Sequence, residues 1–331
     1  MEEINMTEQS VIKIGFDLGN YDGKTQSTST PSSFRKYDTE NKLATESLLF
    51  ESNYYMPTEE RDNQEKDKTI NDYALIMTLF GIAKEIVAQV SNGTTIPSEI
   101  QRKVNAVKSI QLGIGLPVGY FSSLAKKTLA YYEKCFANGI SFAYKGPSTG
   151  DNYIYYNLLV DKVMIYPQDV IAVARNQSLH IPREYDDYYI FGIGGGTVDI
   201  IPIRNKAPQV EDCVSLALGT TEMYKFVSKY LQQNGGDEKD YQIIEKVIRD
   251  QNTILSLEEK TKIKESVAYY ADKLVQNFIH RGLKLKDYPS VFIGGGALLL
   301  QPYIESKKDV FAKVEFVKNV NENAVYYAKA L

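Results

Sequence analysis

The stretch YIFGIGGGTVDII, residues 189–201, decides the fold. An apolar run is followed by three consecutive glycines, 194–196, and then by a second apolar run. This pattern predicts a buried strand, a tight turn and a returning strand. Three glycines weaken a central hairpin by roughly 0.5–1 kcal/mol each, and a backbone without Cβ atoms can approach a ligand closely. We therefore interpret 194–197 (the second glycine turn) as ligand-binding, with a plain glycine hairpin or bulge as the alternative.

A related pattern opens the chain. VIKIGFDLGNYDGK, residues 11–24, predicts a buried strand that turns through Gly19 and Gly23 into a polar strand. The backbone N–H groups of such a turn (the first glycine turn, residues 19–23) can point at phosphate oxygens. Asp17 can hold Mg²⁺ through its waters, and Lys24 offers an ammonium to the terminal phosphates. An ordinary hairpin with a turn Asp and a surface Lys explains the same residues.

A third glycine turn, residues 294–297, lies between an apolar run and a helical pattern in SVFIGGGALLL. A glycine turn that opens a helix suits the approach of a nucleotide to the helix N-terminus, and a plain strand-to-helix turn is the alternative. None of the three turns fits G-x-G-x-x-G, and the sequence contains no G-x-x-x-x-G-K-[ST]. Dinucleotide-binding and P-loop interpretations are therefore excluded. Each turn is weak evidence alone, but their order and spacing are specific.

The remaining periodicities predict an α/β protein with two similar sheets. Amphipathic helices are predicted over 71–90, 119–136, 220–233, 263–282 and 321–331, and further strands over 108–118, 155–167 and 211–219. The tracts 38–70 and 232–262 are polar and poorly patterned. We interpret them as elements of peripheral subdomains or as mobile loops.

The composition excludes several classes of protein. The chain has 331 residues, 43 % of them hydrophobic and 24 % charged, which suggests two globular domains. A net charge of −4 without a basic tract argues against direct binding of nucleic acid. Its two cysteines, Cys135 and Cys213, and two histidines, His180 and His280, have no metal-binding spacing. Any metal is therefore expected to have oxygen ligands.

The sequence also favours a cytoplasmic protein with no membrane partner. MEEINMTEQS, residues 1–10, is polar and unlike a signal peptide. The most apolar part of the 71–90 helix, residues 74–83, is about half as long as the ~20 residues of a membrane span.

Together, the three glycine turns resemble the phosphate-one, phosphate-two and adenosine motifs of the actin superfamily, which also contains the seventy-kilodalton heat-shock chaperones and sugar kinases. The resemblance covers nearly the whole chain. It implies an actin-like (ribonuclease H-like) α/β fold, with two duplicated α/β domains around a cleft for ATP or GTP and Mg²⁺. Domain I would comprise 1–183, with a peripheral subdomain at about 38–105, and domain II would comprise 184–314. The terminal helix, within 315–331, would return to domain I.

Four further segments look most like the plasmid-segregation ParM family and its archaeal relative. They are GIGLPVGYF (113–121), YPQDVIAVA (166–174), LGTTEMYKFV (218–227) and NENAVYYAKAL (321–331). This resemblance implies an ATPase whose copies assemble head to tail into filaments. It also implies a DNA-binding adaptor protein on a centromere-like plasmid site, so that contact with DNA would be indirect.

The resemblance also implies site residues. Asp17, Lys24 and Gln168 are the predicted catalytic residues, and Asp17 is also the predicted metal residue. Gln168 falls where the family places the residue that orients the attacking water, which a glutamine does by hydrogen bonding rather than as a base. The predicted nucleotide-binding residues are Gly19, Asn20, Tyr21, Gly194, Gly195, Gly196, Thr197, Gly219, Thr220, Glu222, Gly294, Gly295, Gly296 and Ala297.

Gly192 departs from the family pattern, which usually has Asp there to help hold the metal's water shell and the attacking water. Asp186 and Asp187 lie too early on the strand to replace it, and Asp199 is expected on the far side of the turn. Three explanations are open: a natural variation in metal handling, a slow hydrolase, or an engineered substitution that traps the ATP state. Each questions hydrolysis more than binding, because losing one such group lowers a rate by on the order of 10²–10³.

Two other functions fit the same motifs. A small-molecule kinase would need a carboxylate base beside a substrate hydroxyl, where the segment around Gln168 offers an amide. A nucleotide-binding regulator that neither assembles nor hydrolyses is compatible with Gly192. Sedimentation with ATP separates a filament former from both alternatives, and phosphate transfer to a panel of sugars would identify a kinase.

Overall fold

The structure is a computed structural model that describes residues 11–58 and 67–331. The segment MEEINMTEQS and residues 59–66 of the polar tract 38–70 lie outside the described residues. The strands, in chain order, are β1 (Val11–Leu18), β2 (Asp22–Lys24), β3 (Ser29–Pro31), β4 (Phe34–Tyr37), β5 (Ser47–Phe50), β6 (Asn53–Pro57), β7 (Ser109–Leu116), β8 (Ile140–Lys145), β9 (Ile154–Pro167), β10 (Tyr188–Ile193), β11 (Val198–Arg204), β12 (Ala207–Pro208), β13 (Val214–Leu216), β14 (Ser290–Ile293) and β15 (Val314–Phe316).

The helices of the described residues include both long core helices and single turns. In chain order they are α1 (Tyr73–Val90), α2 (Pro97–Ala106), α3 (Val118–Phe136), α4 (Val170–Ala174), α5 (Ile181–Glu184), α6 (Thr220–Gln233), α7 (Tyr241–Ile248), α8 (Leu257–His280), α9 (Gly295–Glu305) and α10 (Glu322–Ala330). Short 3-10 turns cover Val210–Asp212 and Lys308–Val310.

The chain divides into two compact units. The first contains the described residues up to Ala172 together with Asn321–Leu331, and the second is Val173–Val320. These limits differ from the predicted domains 1–183, 184–314 and 315–331. The difference arises because β15 pairs in parallel with β14, and because the backbone N–H groups of His180 and Ile181 donate to the Glu315 carboxylate. Both segments therefore belong to the second unit.

The first unit is built on a nine-stranded sheet of the order β3-β2-β1-β7-β9-β8-β5-β6-β4. β1, β7 and β9 are parallel neighbours, so their carboxyl ends meet at one edge. Side chains alternate between the faces of a strand. The Phe16 face of β1 packs near Gly81 of α1, and the Gly15 face lies against Ala324 of α10. The two helices therefore cover opposite faces of β1.

The second unit contains a six-stranded sheet in which β12-β11-β10-β14-β15 are neighbours and β13 pairs with β11. β10 and β11 form the predicted antiparallel hairpin, and β14 runs parallel to β10. The carboxyl ends of β10 and β14 lie at the same edge of the sheet. The second and third glycine turns follow these two ends, so the topology brings both turns to one edge.

The polar tracts contain regular elements that periodicity did not predict. β5 and β6 lie within 38–70 and extend the first sheet through β8, with Leu48 buried. α7 lies within 232–262 and buries Ile244 and Val247. The predicted strand 211–219 is shorter, because a 3-10 turn precedes β13. These elements are short, and the sheet and the helices around them provide the burial that stabilises them.

The apolar helix α1 is longer than its central segment, residues 74–83, suggested. It has 18 residues and is long and apolar enough to cross a membrane, by length and composition alone. However, 78 % of this window is buried inside the protein, and the core helix of a soluble protein passes the same test. The helix is therefore weak evidence for a membrane span, and the estimate from residues 74–83 understated its length.

Candidate functional site

In the first unit, the carboxyl ends of β1 and β9 bring Asp17 and Gln168 together. The Gln168 Nε2 group donates a hydrogen bond to Asp17 Oδ1 at 3.1 Å. The Gln168 backbone is itself held, because its N–H donates to Leu116 O at the end of β7 at 2.8 Å. Two of the predicted catalytic residues, 151 positions apart, are thus in direct contact.

Asp17 is 8 % exposed, and its charge is therefore poorly hydrated. Burial raises the pKa of the Asp17 carboxyl, and this outweighs the opposing effects of Lys24, Asn323 and Lys68. Lys24 is the register partner of Asp17 across the β1–β2 hairpin, so the third predicted catalytic residue lies beside the first. A cation next to a buried carboxylate stabilises its ionised form, and oxygen ligands are those that Mg²⁺ prefers. The site therefore fits the predicted metal role of Asp17.

The first glycine turn is held by two side chains that the sequence reasoning missed. Lys68 Nζ donates to Leu18 O at 2.6 Å and to Gly19 O at 3.0 Å, and Ser32 Oγ donates to Gly19 O at 2.7 Å. Burial lowers the pKa of Lys68 from 10.5 to about 7. Because the carbonyl groups of Leu18 and Gly19 are engaged, the N–H groups of this turn are the ones suited to an anion. Lys68 lies in the unpatterned tract 38–70, which gave no signal for it.

The remaining predicted residues of this turn are partly buried. Asn20 and Tyr21 are half-buried between β1 and β2, and Tyr21 O accepts a hydrogen bond from Ser32 N at 3.1 Å. A Cβ atom at Gly19 would lie 2.7 Å from Asp22 O, so the turn requires glycine there.

A third missed residue, Asn323, connects three groups of the same edge. Its Nδ2 donates to Asp17 Oδ2 at 3.2 Å and to Asp169 Oδ1 at 2.8 Å, and its Oδ1 accepts from Asp169 N at 3.0 Å. Asp169 is 4 % exposed and has a positive φ of 67°. The segment NENAVYYAKAL supported the family resemblance, but no feature of it indicated this contact.

In the second unit, the start of α6 holds the second glycine turn. Thr220 N donates to Gly194 O at 3.0 Å, Thr221 N to Gly195 O at 2.9 Å and Gly219 N to Gly196 O at 3.3 Å. A Cβ atom at Gly219 would clash with Gly195 O. The predicted residues 194–196 and 219–220 therefore lie together. Gly194 N donates to Thr197 O at 2.9 Å, and α6 engages the carbonyl groups of the turn, so the N–H groups of residues 195–197 are the ones suited to phosphate oxygens.

The third glycine turn packs against the end of β10. Gly294 has φ of 103°, and a Cβ atom there would lie 2.5 Å from Ile193 O. At Gly296 it would lie 2.6 Å from Ile193 Cγ2 and 2.8 Å from Thr220 Cγ2. The predicted set 294–297 thus adjoins the second turn, but the Ala297 side chain is fully buried and contributes to the core. Glu222 is exposed in the first turn of α6.

Asp199 lies on β11, on the far side of the turn as expected. The β10–β11 register adds that it stands directly opposite Gly192. Directly opposed residues of an antiparallel pair share a face, so Asp199 lies on the face where an aspartate at position 192 would project. Ser215 Oγ donates to Asp199 Oδ1, and Thr197 Oγ1 donates to Oδ2 at 3.3 Å. A buried carboxylate, 5 % exposed, is therefore present at this point of the hairpin.

Residues 190–306 match the family model for the C-terminal domain of archaeal actin homologues, MreB-like. This range contains the second and third glycine turns and the start of α6. Comparison with curated proteins gives no match.

Several solved structures resemble the chain over nearly its whole length. One is a 15-stranded ParM filament from Clostridium botulinum, with a TM-score of 0.67, 15 % identity, and coverage of 97 % of this chain and 99 % of that chain. Ta0583, an archaeal actin homologue in complex with ADP, has a TM-score of 0.66 and 16 % identity over 97 % and 99 %. Bacillus thuringiensis ParM with ATP has a TM-score of 0.61 and 13 % identity over 97 % and 98 %.

These comparisons establish that the chain has the actin-like fold. They confirm the predicted fold class and the resemblance to ParM and archaeal actin homologues. One fold supports several chemistries, so function is argued below from the site.

Proposed function

We propose that this chain, which has the actin-like fold, is a ParM-like ATPase that binds ATP with Mg²⁺, assembles into filaments in its ATP state and serves the segregation of plasmid DNA. The observation that carries the proposal is the contact between Gln168 and Asp17 at the carboxyl edge of the first sheet. A water-orienting amide beside a metal-associated carboxylate is a pairing suited to nucleotide hydrolysis.

The phosphate groups would be bound mainly by backbone. The N–H groups of the first and second glycine turns carry partial positive charge toward an anion, and Lys24 adds a compact full charge. Gly294 and Gly296 allow the third turn to approach the nucleotide at the start of α9. The same donors fit GTP, since they would bind the phosphate groups and not the base.

Asp17 would hold Mg²⁺ through its waters. The described residues contain no cluster of three or more His, Cys, Asp or Glu side chains that could hold a metal alone. Mg²⁺ is accordingly expected to bind together with the nucleotide, as it commonly does with one or two carboxylates and substrate phosphates. When bound, it supplies neutralisation of the charge that develops on the phosphate oxygens.

Gln168 would orient the attacking water. Its Nε2 group is engaged with Asp17, which leaves Oε1 to accept a hydrogen bond from a water molecule. Asp199, on β11, would supply the carboxylate that the family pattern has at position 192 and that Gly192 lacks. On this proposal the second-turn hairpin keeps an acidic group for ordering water, and hydrolysis is slow rather than lost.

A kinase is less well supported by the same geometry. Asp169, the carboxylate next to Gln168, is buried and hydrogen-bonded to Asn323 through both its N–H and Oδ1. A general base must reach the proton of a substrate hydroxyl, and this geometry does not favour it.

Assembly and partners form the rest of the proposal. The C. botulinum relative was solved as a filament. A head-to-tail contact that does not close into a ring generates such a polymer. Because the chain has a net charge of −4, its contact with DNA would pass through a basic adaptor protein. Its location would be cytoplasmic.

The proposal is tested by sedimentation and phosphate release, measured together with ATP and Mg²⁺ over a range of protein concentrations. The wild-type chain is expected to pellet with ATP and to release phosphate slowly. Gln168→Ala should still pellet, with release reduced by on the order of 10². Gln209→Ala, outside the site, serves as the matched control. Failure to pellet at every concentration, or transfer of phosphate to a sugar, would overturn the filament-forming ATPase.

A further inference from the structure

We infer that Asn323, on the C-terminal helix α10, is a positioning residue for the metal-bound nucleotide. It sets the Asp17 carboxylate relative to the loop 168–169. The inference rests on the proposed function and adds a residue that the sequence motifs did not assign to the site.

Both N–H groups and the carbonyl oxygen of the Asn323 side chain are hydrogen-bonded at this edge. A side-chain amide has two N–H donors and one carbonyl acceptor. Asn323 Nδ2 donates one hydrogen bond to Asp17 Oδ2 and the other to Asp169 Oδ1, and Asn323 Oδ1 accepts a hydrogen bond from the Asp169 N–H. The end of β1 and the loop that follows β9 are therefore joined through one side chain.

Asp17 is fixed from two directions as a result. Gln168 donates to Oδ1 and Asn323 donates to Oδ2, so rotation of the carboxylate would break a hydrogen bond on either side. Hydrogen bonds to a charged group are stronger than neutral ones. The orientation of the carboxylate toward metal-bound water thus depends on α10, although this helix lies at the opposite end of the sequence.

The backbone of α10 is seated closely enough to make this contact rigid. A Cβ atom at Gly15 would clash with Ala324 O, next to Asn323. One turn later, Tyr327 lies over Gly113 and Gly115 of β7, where added Cβ atoms would lie 3.0 Å from Tyr327 Cβ and 2.5 Å from its hydroxyl, respectively. Three glycines of the parallel strands therefore allow α10 to approach the sheet closely, which places the Asn323 amide within hydrogen-bond distance of Asp17.

The acceptor of Asn323 has a separate effect on the loop. Asp169 adopts a positive φ, which few residues other than glycine favour, and its N–H donates to Asn323 Oδ1. This bond holds the turn that directs Gln168 to Asp17. Loss of Asn323 should therefore disturb both partners of the Gln168–Asp17 pair.

The test compares ATP affinity with Mg²⁺ and with EDTA, using a fluorescent ATP analogue and the full chain. In Asn323→Ala, the gain in affinity that Mg²⁺ provides should fall about tenfold, the size expected for losing a hydrogen bond to a charged group. Affinity in EDTA should stay within about twofold, because the backbone donors of the glycine turns are unchanged. Asn321→Ala, two residues earlier at the start of the same helix, is the matched control and should change neither value.

Asn323→Leu, which matches the shape of the amide without its polarity, is the second variant if Asn323→Ala does not fold. Equal weakening of affinity with and without Mg²⁺ would mean general structural support and would overturn the positioning role. An unchanged gain from Mg²⁺ would overturn it as well. If the wild-type chain binds ATP under neither condition, the proposed function falls, and this inference falls with it.

Discussion

The two units place their predicted site residues at equivalent points, the carboxyl ends of parallel strands, but with different chemical groups. At the edge of the first unit side chains predominate. They come from four separate segments of the chain and belong to Asp17, Gln168, Asn323 and Lys68. At the edge of the second unit backbone groups predominate, since the N–H groups at the start of α6 hold the second glycine turn, and Asp199 is the buried carboxylate beside it. The first arrangement depends on charge and protonation, and the second depends on steric fit.

The largest contrast is expected between the two buried carboxylates. Asp17→Asn should lower the rate of phosphate release by about 10²–10³, because the group that holds the metal's waters loses its charge. Asp199→Asn should lower it by only about tenfold, because the amide still accepts a hydrogen bond from Ser215. Rates are measured with saturating ATP and Mg²⁺.

Urea unfolding provides the control for the comparison of Asp17→Asn with Asp199→Asn. Burial raises the pKa of Asp17, so the folded chain disfavours its charged form. Asp17→Asn should therefore unfold in urea at no lower concentration than wild type in the absence of Mg²⁺. A marked loss of stability, or equal rates for the two variants, would contradict the assignment of Asp17 as the main metal residue.

The steric dependence of the second unit is tested by two glycines in contact with each other. Gly219→Ala should lower the free energy of unfolding by about 1–3 kcal/mol, because its Cβ atom would clash with Gly195 O and the turn must shift. At Gly194 the nearest atom to an added Cβ is Thr197 O, at an ordinary 3.7 Å. Gly194→Ala should therefore fold normally, within about 0.5 kcal/mol of wild type.

Binding then separates packing from ligand contact at this turn. In Gly194→Ala, ATP affinity should fall about tenfold if the backbone there approaches the phosphates, since a methyl group would occupy that space. Urea unfolding and titration with a fluorescent ATP analogue provide the two measurements. Unchanged affinity in this well-folded variant would show that the glycines of the turn serve packing alone.

The same difference explains how much could be predicted from the sequence. The glycine turns are contiguous, so 194–196 and 294–296 could be recognised directly, and the strands on either side followed from apolar runs. β5, β6 and α7 could not be predicted, because their stability comes from neighbours distant in sequence. Asp17 was indicated by its place at the end of the first strand, whereas Gln168 was identified only through the family resemblance, although the two are in direct contact.

Residues that act from distant segments gave no signal. Lys68 lies in a polar tract, and Asn323 is a polar residue on the buried face of α10, where the apolar periodicity does not indicate its hydrogen bonds. Asp199 was recognised in the sequence but set aside as a replacement for the missing aspartate, because it lies on the far side of the turn from Gly192. Strand register placed the two opposite each other, and register depends on the turn geometry and on the whole hairpin.

The side-chain edge of the first unit should add a pH dependence of its own. In the folded chain the pKa of Lys68 is lowered to about 7, whereas the unfolded chain keeps its ordinary value of 10.5. Between these values the unfolded chain binds more protons, so Lys68 makes stability rise with pH from about 7 to 10.5, by less than about 1.4 kcal/mol per pH unit. Lys68→Met should remove this rise in urea unfolding measured from pH 6 to 10. Lys36→Met, an exposed lysine of the same unit, should keep it.

The smallest effect on hydrolysis is expected at the residue that departs from the family pattern. Gly192→Asp would place a second carboxylate directly opposite Asp199 in a buried strand pair, where like charges at opposed positions are destabilising. The variant should therefore melt lower than wild type in EDTA, and ATP with Mg²⁺ should reduce the difference, because a cation near the pair offsets the repulsion.

The rate of hydrolysis in the same variant tests whether Asp199 acts in place of the aspartate that is absent at position 192. Since Asp199 already supplies a carboxylate on that face, Gly192→Asp should raise phosphate release by less than about tenfold, well below the 10²–10³ expected for restoring a missing group. In the double variant Gly192→Asp, Asp199→Asn, the new carboxylate should recover most of the rate lost in Asp199→Asn. A large increase in the single variant, or no recovery in the double, would mean that Asp199 does not act for the residue absent at position 192.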